Sequence, residues 1–370
     1  MSNNQNFILQ NPVFIKGASK AAQGVISSNS IDLSTGNSFS VSLTDDTTFT
    51  FANPSDVQFF RVDVSGGLSG DPYDIVNTSL VGSYQLPTSL DNYGVTIKPD
   101  GSKIYIADIT GDQVYQYSMS PAYDVTSMQL EATSANFGSA YNVGPTHYAF
   151  NANGTKMFAC GNARIQEYAL STAWYVNTAT LTTTTSTQTA YSMKFNNDGT
   201  KLYYNNAVGD RIYEYDLSTA YDLSTMASQA NGYYDYGSYS DAWHFDISND
   251  GTSFYLMGDA SSTVRKFTMS TAYDITTASY ASVEKSLSFS DPRGICFSSD
   301  GKYMYILDRG ADILYQYYFG SPISITWPTV AWSDGQAPSS PPLGKTSSYS
   351  FVTDDGGTTY HGYGIGLDIS

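Results

Sequence analysis

One short phrase recurs five times in this chain and strongly limits the folds that the chain can adopt. The copies are Asp100-Gly-Ser-Lys-Ile-Tyr105, Asn153-Gly-Thr-Lys-Met-Phe158, Asp198-Gly-Thr-Lys-Leu-Tyr203, Asp250-Gly-Thr-Ser-Phe-Tyr255 and Asp300-Gly-Lys-Tyr-Met-Tyr305. Their glycines lie 53, 45, 52 and 50 residues apart. An Asp-Gly or Asn-Gly pair between alternating apolar residues indicates a β-hairpin, because the tight turn needs a positive φ. The chain therefore contains five regularly spaced hairpin signals.

The residues around each phrase complete a unit of four strands. An alternating strand precedes each turn, with apolar residues five and three positions before the Asp or Asn, namely Val95/Ile97, Tyr148/Phe150, Met193/Phe195, Phe245/Ile247 and Ile295/Phe297. A third strand follows, then a connector such as Ser-Pro-Ala-Tyr123-Asp124, then a strand rich in Thr and Ser. Four strands in about 50 residues are typical of a propeller blade. The sequence therefore predicts an all-β fold with a five-bladed β-propeller.

The two ends of the repeat array predict how the ring closes. The fifth unit stops at Gly320-Ser-Pro322 without its connector or its fourth strand. At the front, Pro72-Tyr73-Asp74 and the strand pattern of 79–86 precede the first complete blade. We expect residues 79–86 to supply the outer strand of blade five. Such an N-terminal strand clasp removes an open sheet edge.

The residues that flank the propeller predict a second unit. Three short alternating strands lie within 38–64, and further strand patterns follow at 323–328 and 349–353. Neither flank alone has enough strands to bury an apolar face. We expect the flanks to pair into a split antiparallel β-sandwich into which the propeller is inserted. The predicted domains are an N-terminal arm (1–30), a base domain (31–76 plus 321–370) and the propeller (77–320).

Composition supports the all-β assignment and excludes several functions. Glu occurs only four times, whereas residues that favour turns are abundant. Seventeen basic and 34 acidic residues give a net charge of −17, which argues against nucleic-acid binding. No apolar run approaches the roughly 18 residues of a membrane span, and the N-terminus lacks the basic and apolar regions of a signal peptide. Cys160 and Cys296 lie in apolar strands of different repeats, so we expect two buried free thiols.

The flanks also carry a family resemblance. The segments 33–39 (LSTGNSF), 46–54 (DTTFTFANP), 325–328 (ITWP), 332–338 (WSDGQAP) and 353–360 (TDDGGTTY) resemble a short β-domain in structural proteins of tailed bacteriophages, particularly marine and cyanobacterial ones. In that family the two halves are usually contiguous, whereas here about 250 residues separate them. The Asp-Gly units are more loosely similar to repeats of bacterial and viral surface propellers. The resemblance implies a virion protein of the tail-fibre or head-decoration type.

The acidic residues are one candidate for a catalytic site. Five-bladed propellers can host glycosidases, which need two or three carboxylates that converge on a cleft. Most Asp residues here instead lie in turns and connectors that repeat in register. Because an active site breaks the symmetry of its scaffold, we expect these Asp residues to be structural and the protein not to be an enzyme.

The histidines and the other possible metal ligands do not indicate a metal site. His147 and His244 each lie six residues before a turn residue, so they occupy equivalent positions near one mouth of the central channel. The aligned repeats offer no third ligand there, which favours hydrogen-bonded histidines over a metal site. The sequence contains no EF-hand loop and no nonapeptide calcium repeat. We predict no metal and no cofactor, and we expect His361 to be exposed.

Tyrosine is abundant, with 32 residues, and suggests a binding surface. The segment 231–240 contains Tyr233, Tyr234, Tyr236 and Tyr239, which are the candidate binding residues. A Tyr ring offers a flat apolar face and a hydroxyl, which suit sugars and protein interfaces. The alternative is that these side chains pack between blades.

Taken together, these observations predict a non-enzymatic phage virion structural protein. The base domain and arm would bind other virion proteins, and the propeller would face outward for host attachment, contacting a host surface glycan or neighbouring copies in a homo-oligomer. Nucleic acid and membrane insertion are not expected. Two alternatives stay open: a capsid cement or head-fibre protein without a receptor role, and a glycan-binding or glycan-cleaving tail protein. All three place the protein in the virion.

Overall fold

The computed structural model describes the chain except for residues 1–25, 28–29, 44–46, 56, 66–67, 70–71, 89, 138–144, 162–163, 186–188, 238, 240–241, 259–260, 323–324, 334, 339–345 and 370. Two compact units are present, one formed by 1–69 and 322–370 and the other by 70–321. Most of the predicted N-terminal arm (1–30) lies outside the described residues.

Within the described residues, seven strands lie in the part of the flanking unit that precedes the propeller. They are β1 (Ile26–Ser27), β2 (Ser30–Asp32), β3 (Ser38–Ser42), β4 (Thr47–Thr48), β5 (Thr50–Ala52), β6 (Gln58–Ser65) and β7 (Leu68–Ser69). The next strand is β8 (Thr78–Gln85).

The repeats form five four-stranded antiparallel sheets, which confirms the five-bladed propeller. Blade one contains β9 (Asn92–Ile97), β10 (Lys103–Asp108), β11 (Gln113–Ser118) and β12 (Gln129–Thr133). Blade two contains β13 (Pro145–Phe150), β14 (Lys156–Gly161), β15 (Arg164–Leu170) and β16 (Ala179–Thr184). Blade three contains β17 (Ser192–Phe195), β18 (Lys201–Asn206), β19 (Arg211–Asp216) and β20 (Gly232–Asp235). Blade four contains β21 (Ala242–Ile247), β22 (Ser253–Gly258), β23 (Thr263–Met269) and β24 (Ala278–Ser286).

Blade five is completed from the other end of the propeller, which confirms the clasp. Its strands β25 (Pro292–Phe297), β26 (Tyr303–Asp308) and β27 (Ile313–Phe319) continue into β8, which pairs antiparallel with β27. The register runs from Gln85 opposite Ile313 to Thr78 opposite Phe319. Inner strands of neighbouring blades touch all the way round, including β25 with β9, so the ring is closed.

Each hairpin glycine lies directly under an aromatic ring of a connector. All five have φ between +68° and +75°, a region that favours glycine. In blade one, the connector ring of Tyr123 covers Gly101 so closely that a Cβ atom there would lie 2.4 Å from it. Tyr73 covers Gly301 in the same way, and its N–H donates to the Gly301 carbonyl at 3.1 Å. The N-terminal segment therefore supplies the missing connector of blade five as well as its outer strand.

The connector carboxylates have a structural role, as the repeats predict. Short 3-10 helices follow the connectors at Val125–Ser127, Val176–Thr178, Leu223–Thr225 and Ile275–Thr277. Asp124, Asp222 and Asp274 cap three of them by accepting a backbone N–H two residues on. Such capping satisfies N–H groups that the first turn leaves without a partner.

Tyrosine hydroxyls link successive blades across the ring. The hydroxyl of Tyr105 in blade one donates to the Trp174 carbonyl in the connector of blade two, at 3.1 Å. The same link joins blades three and four, four and five, and five and one. Blade two has Phe158 at this position, so it lacks the hydroxyl. Four tyrosines thus link neighbouring blades through their hydroxyls.

The flanking unit is a mixed β structure. After β28 (Ser321–Pro322), its strands are β29 (Ile325–Thr326), β30 (Val330–Trp332), β31 (Thr346–Thr353) and β32 (Tyr360–Ile369). The main sheet has the order β3-β6-β31-β32-β30, and its outer pairs, β3 with β6 and β30 with β32, are parallel. The sequence predicted antiparallel pairing, but an alternating pattern identifies the buried face of a strand and not the direction of its neighbour. One face packs on a core that includes Phe39, Phe60 and Trp327.

Three smaller expectations can be compared with the described residues. Cys160 and Cys296 are free and buried, as predicted. His361 is exposed. Among the described residues no helix has the length and hydropathy to cross a membrane.

Candidate active site

The inner strands of the blades line the central channel and bring equivalent positions of the repeats together. Six residues before each turn Asp or Asn stand Gly94, His147, Ser192, His244 and Gly294. Four residues before it, one layer nearer the turns, stand Thr96, Ala149, Lys194, Asp246 and Cys296. Both layers depart from five-fold symmetry, so the channel is where the repeats differ chemically.

Two neutral histidines fill the middle of the channel. The imidazole of His147 in blade two contacts both neighbouring blades: Nε2 lies 3.3 Å from the Val95 carbonyl, and Nδ1 accepts the Met193 N–H at 3.4 Å. His244 lies beside it, with ring centres 5.3 Å apart, and its Nε2 is 3.0 Å from the Tyr191 carbonyl. Since a carbonyl can only accept, we assign the proton to Nε2 in both rings.

Burial keeps both rings uncharged. It lowers the pKa of His147 to about 4 and that of His244 well below its usual value. Among the described residues no group bonds Nδ1 of His244. No three His, Cys, Asp or Glu side chains of the described chain are grouped to hold a metal ion.

The next layer contains an ion pair between blades three and four. The Lys194 ammonium lies 2.7 Å from Oδ1 of Asp246. The carboxylate also accepts the Ile247 N–H at 2.8 Å and, from blade five, the Phe297 N–H at 2.9 Å. Only 4% of the Asp246 side chain is exposed, whereas 39% of the Lys194 side chain is. Two backbone N–H groups therefore hold the carboxylate in place in addition to the lysine.

These residues line a cavity at the end of the channel that carries the Asp-Gly turns. Its volume is about 360 Å³, and its inner wall includes Thr96, His147, Lys194, Asp246 and Cys296. The residues just before each turn form its rim, namely Pro99, Ala152, Asn197, Asn249 and Ser299. This volume lies within the range of about 300–1,000 Å³ that is usual for small-molecule sites.

Side chains pack closely at the opposite end of the channel. The Arg293 guanidinium lies between the rings of Tyr93 and Trp243, 5.4 and 5.0 Å from their centres. Asp291 pairs with Arg293 at 2.9 Å, and Arg309 pairs with Asp91. Tyr93 is 9% exposed, and 12% of the Arg293 side chain is. The cavity with Lys194 and Asp246 is therefore the better candidate for a site.

The predicted tyrosine surface is only partly available. Tyr233 is 47% exposed, and the guanidinium carbon of Arg211 lies 4.4 Å from its ring centre. Tyr234 packs against the rings of Phe254 and Phe267, with centres 5.7 and 5.4 Å away. Tyr234 therefore packs against the next blade, which is the alternative to ligand binding that the sequence left open.

The other two candidate tyrosines are buried. The Tyr236 hydroxyl donates to Oδ1 of Asn205 at 2.9 Å. The Tyr239 hydroxyl accepts the Gly258 N–H at 3.1 Å, and Arg265 lies 4.0 Å above its ring. Burial raises the pKa of both phenols, so both stay protonated. Of the four candidates, only the first offers an exposed ring, and a binding role for it stays a prediction.

Comparison with known proteins gives one sequence match. Residues 177–352 match the model of a family described as lactonase, 7-bladed β-propeller. The match includes both Lys194 and Asp246, and the ring here has five blades rather than seven. No curated protein matches the sequence.

Two solved structures resemble this chain at low sequence identity. A protein described as a candidate 6-phosphogluconolactonase from Bacteroides fragilis NCTC 9343 is 12% identical, with a TM-score of 0.39, over 70% of this chain and 79% of that one. The periplasmic gluconolactonase of Pseudomonas aeruginosa is 12% identical, with a TM-score of 0.40, over 75% of this chain and 85% of that one.

The family match overturns the functional part of the sequence-based expectation. The expectation of a non-enzymatic virion structural protein, with its tail-fibre, capsid-decoration and host-attachment roles and its virion location, is wrong because the match is to a family of lactonases. The error has a physical cause. The repeated Asp residues are indeed structural, but that finding says nothing about residues that occur in one blade only.

The sequence contained a signal for the site that was missed. Aligning the five units four residues before the turn gives Thr96, Ala149, Lys194, Asp246 and Cys296. Charged residues are rare in the innermost strand of a blade, where side chains are desolvated. Two opposite charges in adjacent repeats at the same position are therefore the break in symmetry that an active site requires.

Proposed function

We propose that the propeller is a hydrolase that opens lactones, which are cyclic esters, in the cavity that contains Lys194 and Asp246. One observation carries the proposal: the inner wall of the cavity holds an ion pair that the other repeats lack. The family match over 177–352 supports the reaction class, since it covers both residues. The cavity volume of about 360 Å³ suits a ligand of monosaccharide size.

The arrangement suits ester hydrolysis in the following way. Water adds to the lactone carbonyl carbon while the Asp246 carboxylate accepts its proton, and the carbonyl oxygen becomes an oxyanion. The Lys194 ammonium, which is more exposed than its partner, donates a hydrogen bond to that oxygen. The ring C–O bond then breaks, and the alkoxide leaving group takes the proton from Asp246. The product is a hydroxy acid, which releases one proton at neutral pH.

The surrounding side chains favour this division of roles. Backbone N–H groups of Ile247 and Phe297 fix the Asp246 carboxylate, so it is oriented before substrate arrives. His147 is neutral and uses both nitrogens within the channel, so it forms part of the wall and does not act as the base. The carboxylate is thus the best placed proton acceptor on the inner wall.

A pair of substitutions tests the proposal. Glucono-δ-lactone is the probe, and proton release above the spontaneous rate is the readout. We expect Lys194→Met to lower kcat by about 10²–10³-fold, the usual effect of removing one oxyanion donor. Its fold should persist, because two N–H groups still bond the Asp246 carboxylate. Asp246→Asn should lower kcat by about 10²–10⁴-fold.

The matched control is Asp235→Asn, the same chemical change in the exposed Arg211–Asp235 pair of blade three, whose side chains are 38% and 49% exposed. It should keep full activity. Wild-type activity that survives in both cavity variants, with melting temperatures unchanged, would place the reaction elsewhere.

A further inference from the structure

The charges around the cavity suggest which substrates it accepts, an inference that rests on the proposed function. Among the described residues that line the cavity, Lys194 and Asp246 are the only charged side chains at neutral pH, since His147 is neutral. They neutralise each other at 2.7 Å. An anionic group on a ligand would therefore meet no cation that is not already paired with a carboxylate.

The mouth of the cavity adds negative charge. Four of the five hairpin turns that surround it carry a carboxylate, namely Asp100, Asp198, Asp250 and Asp300. Lys98 pairs with Asp100 at 2.7 Å, and Lys302 lies 3.9 Å from Asp300. The remaining two carboxylates receive hydrogen bonds from hydroxyl and N–H groups instead. Bonds from the Thr200 hydroxyl and N–H lower the pKa of Asp198, so it stays ionised.

We infer that the site selects uncharged lactones and discriminates against phosphorylated or carboxylated ones. Asp198 and Asp250 are the main source of this selectivity, because no described lysine or arginine pairs with either. In water, a like charge about 10 Å away lowers the local concentration of a singly charged ligand roughly twofold, and salt reduces the effect. Two such carboxylates together should lower this concentration about fourfold at low ionic strength.

The chain itself supplies the matched substitution. Blade two carries Asn153 at the equivalent position, where Oδ1 accepts the Thr155 N–H at 3.2 Å and its hydroxyl at 2.7 Å. Asp198 makes the same two bonds to Thr200, at 3.0 and 2.6 Å. Asp198→Asn therefore removes one charge and keeps the turn. Asn153→Asp is the reciprocal variant, which adds one charge to the same rim.

The experiment compares kcat/KM for glucono-δ-lactone and for its 6-phosphate at low and high salt, with the full chain. Wild type should prefer the neutral lactone. Asp198→Asn with Asp250→Asn should raise kcat/KM for the phosphate at least about fourfold and leave the neutral lactone unchanged. Asn153→Asp should lower kcat/KM for the phosphate by about twofold or more. High salt should reduce the effects of both sets of substitutions.

The outcomes separate this inference from the proposed function. Hydrolysis of both lactones with the phosphate preferred, or a ratio that the rim variants do not move, overturns the charge selection alone. Hydrolysis of neither lactone overturns the proposed function and this inference with it.

Discussion

The closure of the ring can be tested at a single side chain, Ile75. This residue precedes the first blade in sequence, yet its side chain is fully buried among residues of blades four and five, including Met257 and Phe319. Ile275 occupies the equivalent position after the connector of blade four and is equally buried. If the N-terminal segment completes blade five as the other connectors complete theirs, the two isoleucines should contribute alike.

Truncating either side chain should cost a similar free energy of unfolding. A buried Ile→Ala substitution removes apolar contacts and leaves a cavity, which costs about 2–5 kcal/mol. Full burial at both sites places Ile75→Ala and Ile275→Ala near 3–4 kcal/mol. For a unit of this size each kcal/mol lowers the melting temperature by about 2–4 °C, so a drop of roughly 6–16 °C is expected.

Calorimetry of the full chain measures the melting temperature, and amide exchange of peptides from Thr78–Gln85 and Ile313–Phe319 gives a local readout. In Ile75→Ala both strands should exchange faster. A drop for Ile275→Ala together with an unchanged Ile75→Ala variant would refute the view that the N-terminal segment is an integral part of blade five.

Two other predictions follow from the hairpin turns and the buried phenols. Gly199→Ala should destabilise the propeller by at least about 1–2 kcal/mol, because φ is +75° and the new Cβ would lie 2.1 Å from the Tyr221 ring. The control is Gly209→Ala, which should melt like wild type because its Cβ would meet nothing within 3.5 Å. Burial raises the pKa of Tyr73, Tyr273 and Tyr317 to about 12. The folded state therefore favours the neutral phenols, so this stability is intact below pH 10 and is lost as the pH rises from 10 to 12. Absorbance at 295 nm and circular dichroism should change together in that window, and phenol ionisation near pH 10 with an intact dichroism spectrum would contradict this reasoning.

Most of the propeller could be predicted from sequence because its signals are local and repeat. Each Asp-Gly pair specifies a turn that needs positive φ, and the alternating residues on both sides specify the strands. The surplus strand at the front and the missing one at the back also predicted the clasp. The sequence did not reveal that Tyr73 lies on Gly301, because that contact joins residues 228 positions apart in a ring whose closure had first to be known.

Strand direction in the flanking unit is a case where local signals were insufficient. The alternation in β3 and β6 identifies their buried residues, among them Phe39 and Phe60. It contains no information on whether the two strands run parallel, which depends on the path of the intervening chain.

By itself, the sequence determined the all-β class, the number of blades, the clasp and the structural role of the repeated Asp residues. Tertiary structure decided the candidate site. Lys194 and Asp246 are 52 residues apart and meet only because the inner strands of blades three and four lie side by side around the channel. Burial in that channel also keeps His147 neutral. Packing between blades three and four, away from the channel, buries Tyr236 and Tyr239. Repetition specifies the scaffold because each repeat folds by the same local rules, whereas the site depends on contacts between repeats and on the loss of water there.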